Sequence, residues 1–254
     1  MTAWQEWLGV WRSLRVYRLD TRHARALDAM YKNFAGPGDL AFDIGAHVGD
    51  RTASLRRLGA RVIALEPQRA CARLMRLLHG LDSGVTLIES AVSESPGKLA
   101  FSINSSNPTV STLSRDFIAA ANAGAKGWEG QTWDRAVEVP ATTLDLLITA
   151  HGAPAFIKID VEGAEEAVLR GLSHPVAALS FEFTTIQRDV AYACLARCAV
   201  LGYRRFNVSL GESQRMTFDA PVDAQAMQAH IASLPHEANS GDIYALRDDW
   251  KAKP

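Results

Sequence analysis

Between residues 39 and 93 the chain alternates apolar runs with amphipathic segments, a rhythm that few folds accept. "DLAFDIG" reads as a short apolar strand, and "DRTASLRRLG" as a helix opened by Asp50 and closed by Gly59. "ARVIALEP" is a second strand, stopped by Pro67. "QRACARLMRLLHG" predicts a helix with Gly80 just past its end, and "GVTLIESAV" a third strand. Strands joined through helices by short turns run parallel, with right-handed crossovers. Each strand is apolar at successive positions, as burial on both faces requires.

The alternation resumes after residue 140. "TTLDLLITAHG" predicts a helix, "AFIKIDVEG" a fourth strand, "AEEAVLRGL" a helix and "AALSFEFT" a fifth strand. "DVAYACLARCAVLG" predicts a helix, and "YRRFNVSL" and "GDIYALR" the last two strands, with a helix at "DAQAMQAHIASL" between them. "GKLAFSI" reads as an antiparallel edge strand. Residues 104–139 are rich in Ser, Asn, Ala and Gly and lack clear periodicity, with Trp128 and Trp133 near their end. A stretch of that length is expected to act as a lid or binding loop.

Ahead of the sheet, Trp4, Trp7, Leu8, Trp11, Leu14 and Tyr17 recur at helical spacing. They predict a helix over 3–18 that packs on the domain or forms a homodimer contact. Arg12, Arg15 and Arg18 beside the stripe leave a membrane-surface helix as the alternative. A second helix over 21–34 should stop before the glycines at 36 and 38. The expected organisation is a helical extension at 1–36 and one domain at 37–254.

Composition excludes several classes. Formal net charge is -1, from 27 basic and 28 acidic residues, so no general attraction for nucleic acid is expected. Arg51, Arg56, Arg57 and Arg61 read as solvated helix and strand-edge charge. No run of about 18 apolar residues predicts a membrane span, and the first twenty residues lack a secretory pattern. Cys71, Cys194 and Cys198 form no even framework and read as small buried residues. A cytoplasmic protein is expected.

The first strand ends in "FDIGAHVGD". Glycine serves where φ is positive or where something approaches the main chain closely, and both needs arise at the carboxyl end of a parallel strand. The dinucleotide fingerprint G-x-G-x-x-G is incomplete here, because position 47 is His between Gly45 and Gly49. A pyrophosphate needs that tight cradle of amides; a nucleoside does not. Glu66 ends the second strand 21 positions after Gly45, the offset at which an acid accepts from ribose hydroxyls. Turn and acid together favour a nucleoside over NAD, with an ordinary α/β turn and a surface glutamate as the remaining alternative.

"FDIGAHVGDRTASLRRLGARVIALEPQ" resembles the nucleotide-binding segment of class I S-adenosylmethionine-dependent methyltransferases. "FIKIDVEGAEEAVLRG" resembles more narrowly the hallmark of FkbM-type methyltransferases, I-K-(I/L/M)-D-(V/I)-E-G-x-E followed by a leucine and a glycine. "VPATTLD" and "ESAVSESPGKLAF" resemble the family's flanking segments, so the likeness spans about residues 38–185. One departure is His47, where the family usually has asparagine. The resemblance implies a Rossmann-like, doubly wound α/β sheet of about seven strands, mostly parallel with an antiparallel C-terminal strand. It implies S-adenosyl-L-methionine as cofactor, held by Asp43, Gly45, Ala46, His47, Gly49, Glu66, Pro67, Ser90, Ala91 and Asp160. Within that set Gly45 and Gly49 would let the backbone pass the amino-acid end, and Asp43 would accept from the ammonium or fix the turn. Glu66 would hold the ribose, and Ser90 and Ala91 would reach the adenine edge.

The resemblance also implies O-methylation of a hydroxyl on a small molecule such as a sugar, glycan or polyketide precursor. A hydroxyl acceptor gains from a general base, and Asp160, Glu162 and Glu182 are the candidates, with His47 behind them. No resident metal is expected; the alternative is that the three carboxylates hold a divalent cation that orients a diol. Lys158 reads as structural, its stem packed and its amine paired. His79 reads as a cation at a helix C-terminus, His151 and His174 as turn residues, and His230 and His236 as flanks of a late helix. The rival functions are an NAD-dependent oxidoreductase or epimerase and a non-catalytic nucleoside-binding protein.

Overall fold

The structure, a computed structural model, describes residues 3–18, 20–124 and 126–253, the side chains of 3–6 excepted. Seven strands form the main sheet: β1 (Leu40–Ile44), β2 (Arg61–Leu65), β3 (Val85–Ile88), β7 (Phe156–Ile159), β8 (Ala178–Thr184), β9 (Arg205–Leu210) and β10 (Ser240–Leu246). Their order is β3-β2-β1-β7-β8-β10-β9, and β10 alone runs antiparallel to its neighbours. This is the α/β, Rossmann-like doubly wound sheet that the strand–helix alternation and the resemblance imply.

Period-two alternation explains why both faces are covered. Phe42, Ile44, Ile63, Leu65, Ile157, Ile159, Leu179 and Phe181 point to one face. There they meet α6 (Leu144–His151), α7 (Glu165–Arg170), α8 (Arg188–Leu201) and α9 (Ala224–Ser233) through Leu147, Leu169, Leu195 and Ile231. Ala41, Val62, Ala64, Phe156 and Ala178, one position away, point to the other. That face receives α2 (Thr21–Tyr31), α3 (Asp50–Arg57) and α4 (Arg69–His79) through Leu27, Tyr31, Leu55 and Met75. A one-residue slip of any central strand would exchange the two sets.

Several elements differ from expectation. "GVTLIESAV" breaks at Glu89 and Ser90 into β3 and a two-residue β4 (Ala91–Val92), which leaves the main sheet. "GKLAFSI" is β5 (Gly97–Ile103), but it pairs in a second sheet of order β4-β6-β5, with β6 (Arg135–Thr142) at its centre. The 104–139 segment is therefore built rather than loose. It holds a 3-10 turn at Pro108–Val110, α5 (Arg115–Asn122) and the first half of β6. Phe117 and Trp128, with Trp133 against them, give it a small core of its own.

The first helix, α1 (Ala3–Ser13), passes at Leu14–Arg18 into one π-helical stretch. Val10 and Leu14 bury it against Val48, Ala70, Cys71 and Leu74. Trp7 and Trp11 stay on the outer side, and the Trp4 ring lies outside the described residues. Among the described residues no helix is long and apolar enough to cross a membrane. The three cysteines are free and buried.

Candidate active site

The order of the sheet reverses between β1 and β7, and the carboxyl ends of β1, β2, β7 and β8 meet there. Crevices at such switch points are where open α/β sheets take ligands. A cleft of about 420 Å³ opens at this point. Its wall includes Asp43, Gly45, Ala46, His47, Glu66, Pro67, Ser90, Ala91, Asp160, Glu162 and Glu182, which is the expected site set except for Gly49.

Gly49 is the correction. It sits at φ +77 as the left-handed cap of α3, and a Cβ there would lie 2.1 Å from Met75 Sδ. It serves helix packing behind the turn, and it does not line the cleft. Gly45 is required for a different contact: at φ +82, a Cβ would lie 1.7 Å from the Asp160 carbonyl oxygen. The amides of Gly45 and Ala46 both donate to Leu65 O, at 3.0 and 2.9 Å. These two N–H groups are thus engaged by β2 and do not form a phosphate cradle, as the missing third glycine led us to expect.

Glu66 braces the turn. Its carboxylate accepts from His47 N at 2.8 Å and from Gln68 N at 2.7 Å. It is buried, and burial raises its carboxyl to about 7, against the pull of those two N–H groups. A carboxylate has about four acceptor positions, so capacity remains for a ligand. Asp43 accepts from Thr52 Oγ1 at 2.5 Å, which ties the end of β1 to the first turn of α3; burial raises it to about 6. Of the two roles expected of Asp43, fixing the turn has this bond behind it. His47 lies at φ +49 with Nε2 buried and unpartnered, and burial lowers it to about 4. It is a neutral ring at physiological pH, edge-on to Tyr17.

Asp160, Glu162 and Glu182 come from the ends of β7 and β8 and the turn between β7 and α7. One carboxylate oxygen from each lies within 4.8 Å of the others. Lys158 is buried in the sheet; its amine donates to Asp160 at 3.0 Å and to Asp242 at 2.5 Å. Its paired, structural reading fits that geometry. Burial pushes Asp160 up, but the Lys158 ammonium and the Arg51 guanidinium outweigh it and hold this carboxyl below its usual range. Burial, then the Asp160 charge, pushes Glu162 and Glu182 well above theirs. Glu165 pins the turn that presents Glu162, accepting from Val161 N at 3.0 Å and Gly163 N at 3.3 Å. Thr112 Oγ1 donates to Glu162 O at 2.6 Å and fastens the 104–139 segment to the same turn.

Three cleft residues escaped the sequence reading. Arg51 is not a solvated charge; it is nearly buried, ion-paired with Asp50, and its Nη2 donates to both oxygens of Glu212 at 3.0 and 3.1 Å. Tyr17 reaches the cleft from the π-helical stretch. The signal for Arg51 was its place directly after the glycine turn; nothing local marks Glu212. His79 also differs: it accepts from Arg18 at 3.1 Å, and burial lowers it to about 4, so it is no helix-end cation.

The family model of the methyltransferase FkbM domain matches residues 43–204, well over half of the chain. The chain belongs to the FkbM methyltransferase family. Its cofactor is accordingly S-adenosyl-L-methionine, and it is an enzyme of methyl transfer. Among solved structures, it is similar to the precorrin-6y C5,15-methyltransferase of Geobacter metallireducens, at 15% identity and TM-score 0.44, covering 91% of each chain. It is also similar to a TehB-like SAM-dependent methyltransferase of Corynebacterium glutamicum, at 11% identity and TM-score 0.45, covering 94% of each. A SAM-dependent O-methyltransferase of Thermotoga maritima matches at 15% identity and TM-score 0.40, over 89% of this chain and 65% of that one. No match was found among curated proteins. The hallmark of this FkbM chain, residues 157–165, is the turn that gathers Lys158, Asp160, Glu162 and Glu165.

Proposed function

We propose that this FkbM methyltransferase methylates a hydroxyl of a small polar molecule, a sugar or glycan or polyketide precursor. The observation that carries the reading is the convergence of three carboxyls on the cleft that also holds the Gly45–His47 turn and Glu66. The cleft volume lies within the usual range for small ligands, roughly 300–1,000 Å³. Net charge of -1 supplies no general attraction for nucleic acid.

The residues fit the cofactor. Glu66 accepts from the ribose hydroxyls, with Pro67 beside it. Ser90 and Ala91, where β3 breaks, border the adenine. Asp43 holds the turn through Thr52, so that Ala46 and His47 face the amino-acid end. The buried Nε2 of His47, without a partner, is a polar atom that bound ligand would satisfy. When bound, the cofactor supplies an activated methyl group on a sulfonium sulfur.

The carboxyl cluster faces the acceptor. Placing its oxygen near 3 Å from the reacting carbon contributes up to roughly 7–11 kcal/mol in favourable cases. Asp160, paired with Lys158, is a weak base and orients the hydroxyl. Glu162 and Glu182 bind protons more tightly, so either one, where ionised, is a stronger base toward the hydroxyl than Asp160. Trp128, Asn107 and Gln131 add an aromatic and polar wall above the cluster, a mix that suits carbohydrate. The 104–139 segment is thus read as the acceptor lid, the enzyme as cytoplasmic, and the outer face of α1 as a candidate dimer contact.

The test is radiolabelled methyl transfer to a panel of sugars and alcohols, with calorimetric binding of S-adenosylhomocysteine and of NAD. Binding of S-adenosylhomocysteine with turnover on a hydroxyl acceptor is expected. Binding of NAD instead would favour the oxidoreductase reading, and cofactor binding without turnover across the panel the non-catalytic one.

A further inference from the structure

The cluster of Asp160, Glu162 and Glu182 is built for more than proton transfer. Two ligands of one cation lie no farther apart than twice the metal–oxygen distance. That is about 4.2 Å for Mg²⁺ and about 4.8 Å for Ca²⁺. The three carboxylate oxygens meet the wider limit, within 4.8 Å of one another.

A second observation is independent of this spacing. The Glu162 side chain belongs to a residue only 8% exposed, yet among the described residues its carboxyl has no hydrogen-bond partner. Oε2 of Glu182 is also shielded and unpartnered. Buried polar groups are rarely left so, because each unmade bond costs about 1–3 kcal/mol. The one nearby ammonium, Lys158, is already shared between Asp160 and Asp242. No donor in the surrounding wall therefore serves Glu162, and the turn that presents it is pinned by Glu165 and Thr112.

We infer that Asp160, Glu162 and Glu182 bind a hard divalent cation of the size of Ca²⁺, which holds oxygens of the methyl acceptor in the cleft. The donors are all carboxylate oxygens, the set that such cations prefer to sulfur or nitrogen. Three protein ligands leave coordination positions open on the cleft side. Two adjacent hydroxyls of the acceptor occupy them, so the acceptor class is a vicinal diol or a hydroxy-carbonyl compound. This deepens the reading of the cluster as the acceptor site and rests on it. With the cation in place these carboxyls are its ligands rather than free bases: they orient the acceptor through it, and the hydroxyl proton leaves to water at the cleft mouth as the oxygen–methyl bond forms. The sulfur–methyl bond breaks with its electron pair retained on sulfur.

The test is Mn²⁺ titration of the full chain followed by electron paramagnetic resonance, with S-adenosylhomocysteine affinity measured in parallel by calorimetry. Glu162→Gln and Glu182→Gln are the variants, because the amide keeps the shape of the carboxyl and leaves Lys158 its partners. One Mn²⁺ per chain is expected, displaced by Ca²⁺. Each variant should weaken it at least about tenfold, as lost metal-site groups commonly do, with S-adenosylhomocysteine affinity unchanged and the thermal midpoint not lowered. No stoichiometric Mn²⁺ binding, or binding that both variants leave intact, overturns the site. Failure of S-adenosylhomocysteine to bind the unaltered chain strikes the cofactor reading instead, and Mn²⁺ binding still decides the cation site.

Discussion

Glu66 serves the fold directly, and the ribose role proposed for it would draw on the same carboxylate. Its two oxygens hold the His47 and Gln68 amides, so the loops after β1 and β2 share a brace before any ligand arrives. Removing it by Glu66→Ala forfeits charge-assisted hydrogen bonds of roughly 1.5–3 kcal/mol, and S-adenosylhomocysteine affinity should fall about 10- to 150-fold by calorimetry. Unchanged affinity would refute the ribose assignment. The pH dependence has a definite sign. Ribose hydroxyls donate, so the ionised carboxylate binds better, and affinity should rise as pH rises through about 7. Glu66→Gln should flatten that rise. Gly49 makes the converse case. Gly49→Ala adds a Cβ against Met75 at a left-handed φ, each effect worth about 1–3 kcal/mol. The thermal midpoint should drop while cofactor affinity per folded molecule stays within about twofold, since the residue stands behind the cleft wall.

Among the elements, the 104–139 segment shows where sequence patterning stops being legible. β1, β2, β7 and β8 were readable because burial on both faces leaves an unbroken apolar run. Asp43, Glu66, Asp160 and Glu162 were readable because strand ends and hallmark motifs fix their place. The 104–139 segment was not, because its core is one small cluster, Phe117 with Trp128 and Trp133, and its strand β6 is exposed at alternate positions. Arg51 and Glu212 were hidden for another reason: they lie 161 positions apart, and only the folded β9–α9 connection brings them together. The segment is tied down at a few points, among them Trp128 Nε1 to Asn239 at 3.1 Å and Trp133 Nε1 to Val110 O at 2.8 Å. Trp128→Ala should empty that small core and loosen the segment, with faster amide exchange over residues 105–134. Turnover should fall at least about tenfold with S-adenosylhomocysteine affinity within twofold, given costs of about 3–5 kcal/mol for such truncations. Equal loss of both would count against an acceptor lid.

For the whole molecule, buried titratable groups set opposing slopes of stability against pH. Asp43 is raised from 3.8 to about 6, and Glu66 and Glu165 from 4.5 to about 7. In each the folded state holds its proton longer than the unfolded one, so stability is present at low pH and lost as pH rises through these values. His47 and His79 are lowered from 6.5 to about 4. The unfolded chain takes up those protons first, so their contribution is present above 6.5 and lost as pH falls toward 4. Between about 4.5 and 6.5 the raised carboxyls, Asp43, Glu66, Glu165, Glu162 and Glu182, outnumber the two histidines, so the net slope is downward, each group acting with a slope on the order of 1 kcal/mol per pH unit. Above 6.5 the histidines are neutral in both states and drop out. Glu66 and Glu165 continue to about 7, and Glu162 and Glu182, raised well above the usual range, continue beyond. The ligand-free, metal-free chain should therefore lose urea stability with rising pH already across mildly acidic pH and go on losing it, less steeply, above neutrality. The double variant Glu162→Gln with Glu182→Gln should lose much of that alkaline slope, because neither amide titrates. A slope that is flat or rising above neutrality in the unaltered chain would mean that these carboxyls meet water in solution and that the cleft is open where the structure closes it.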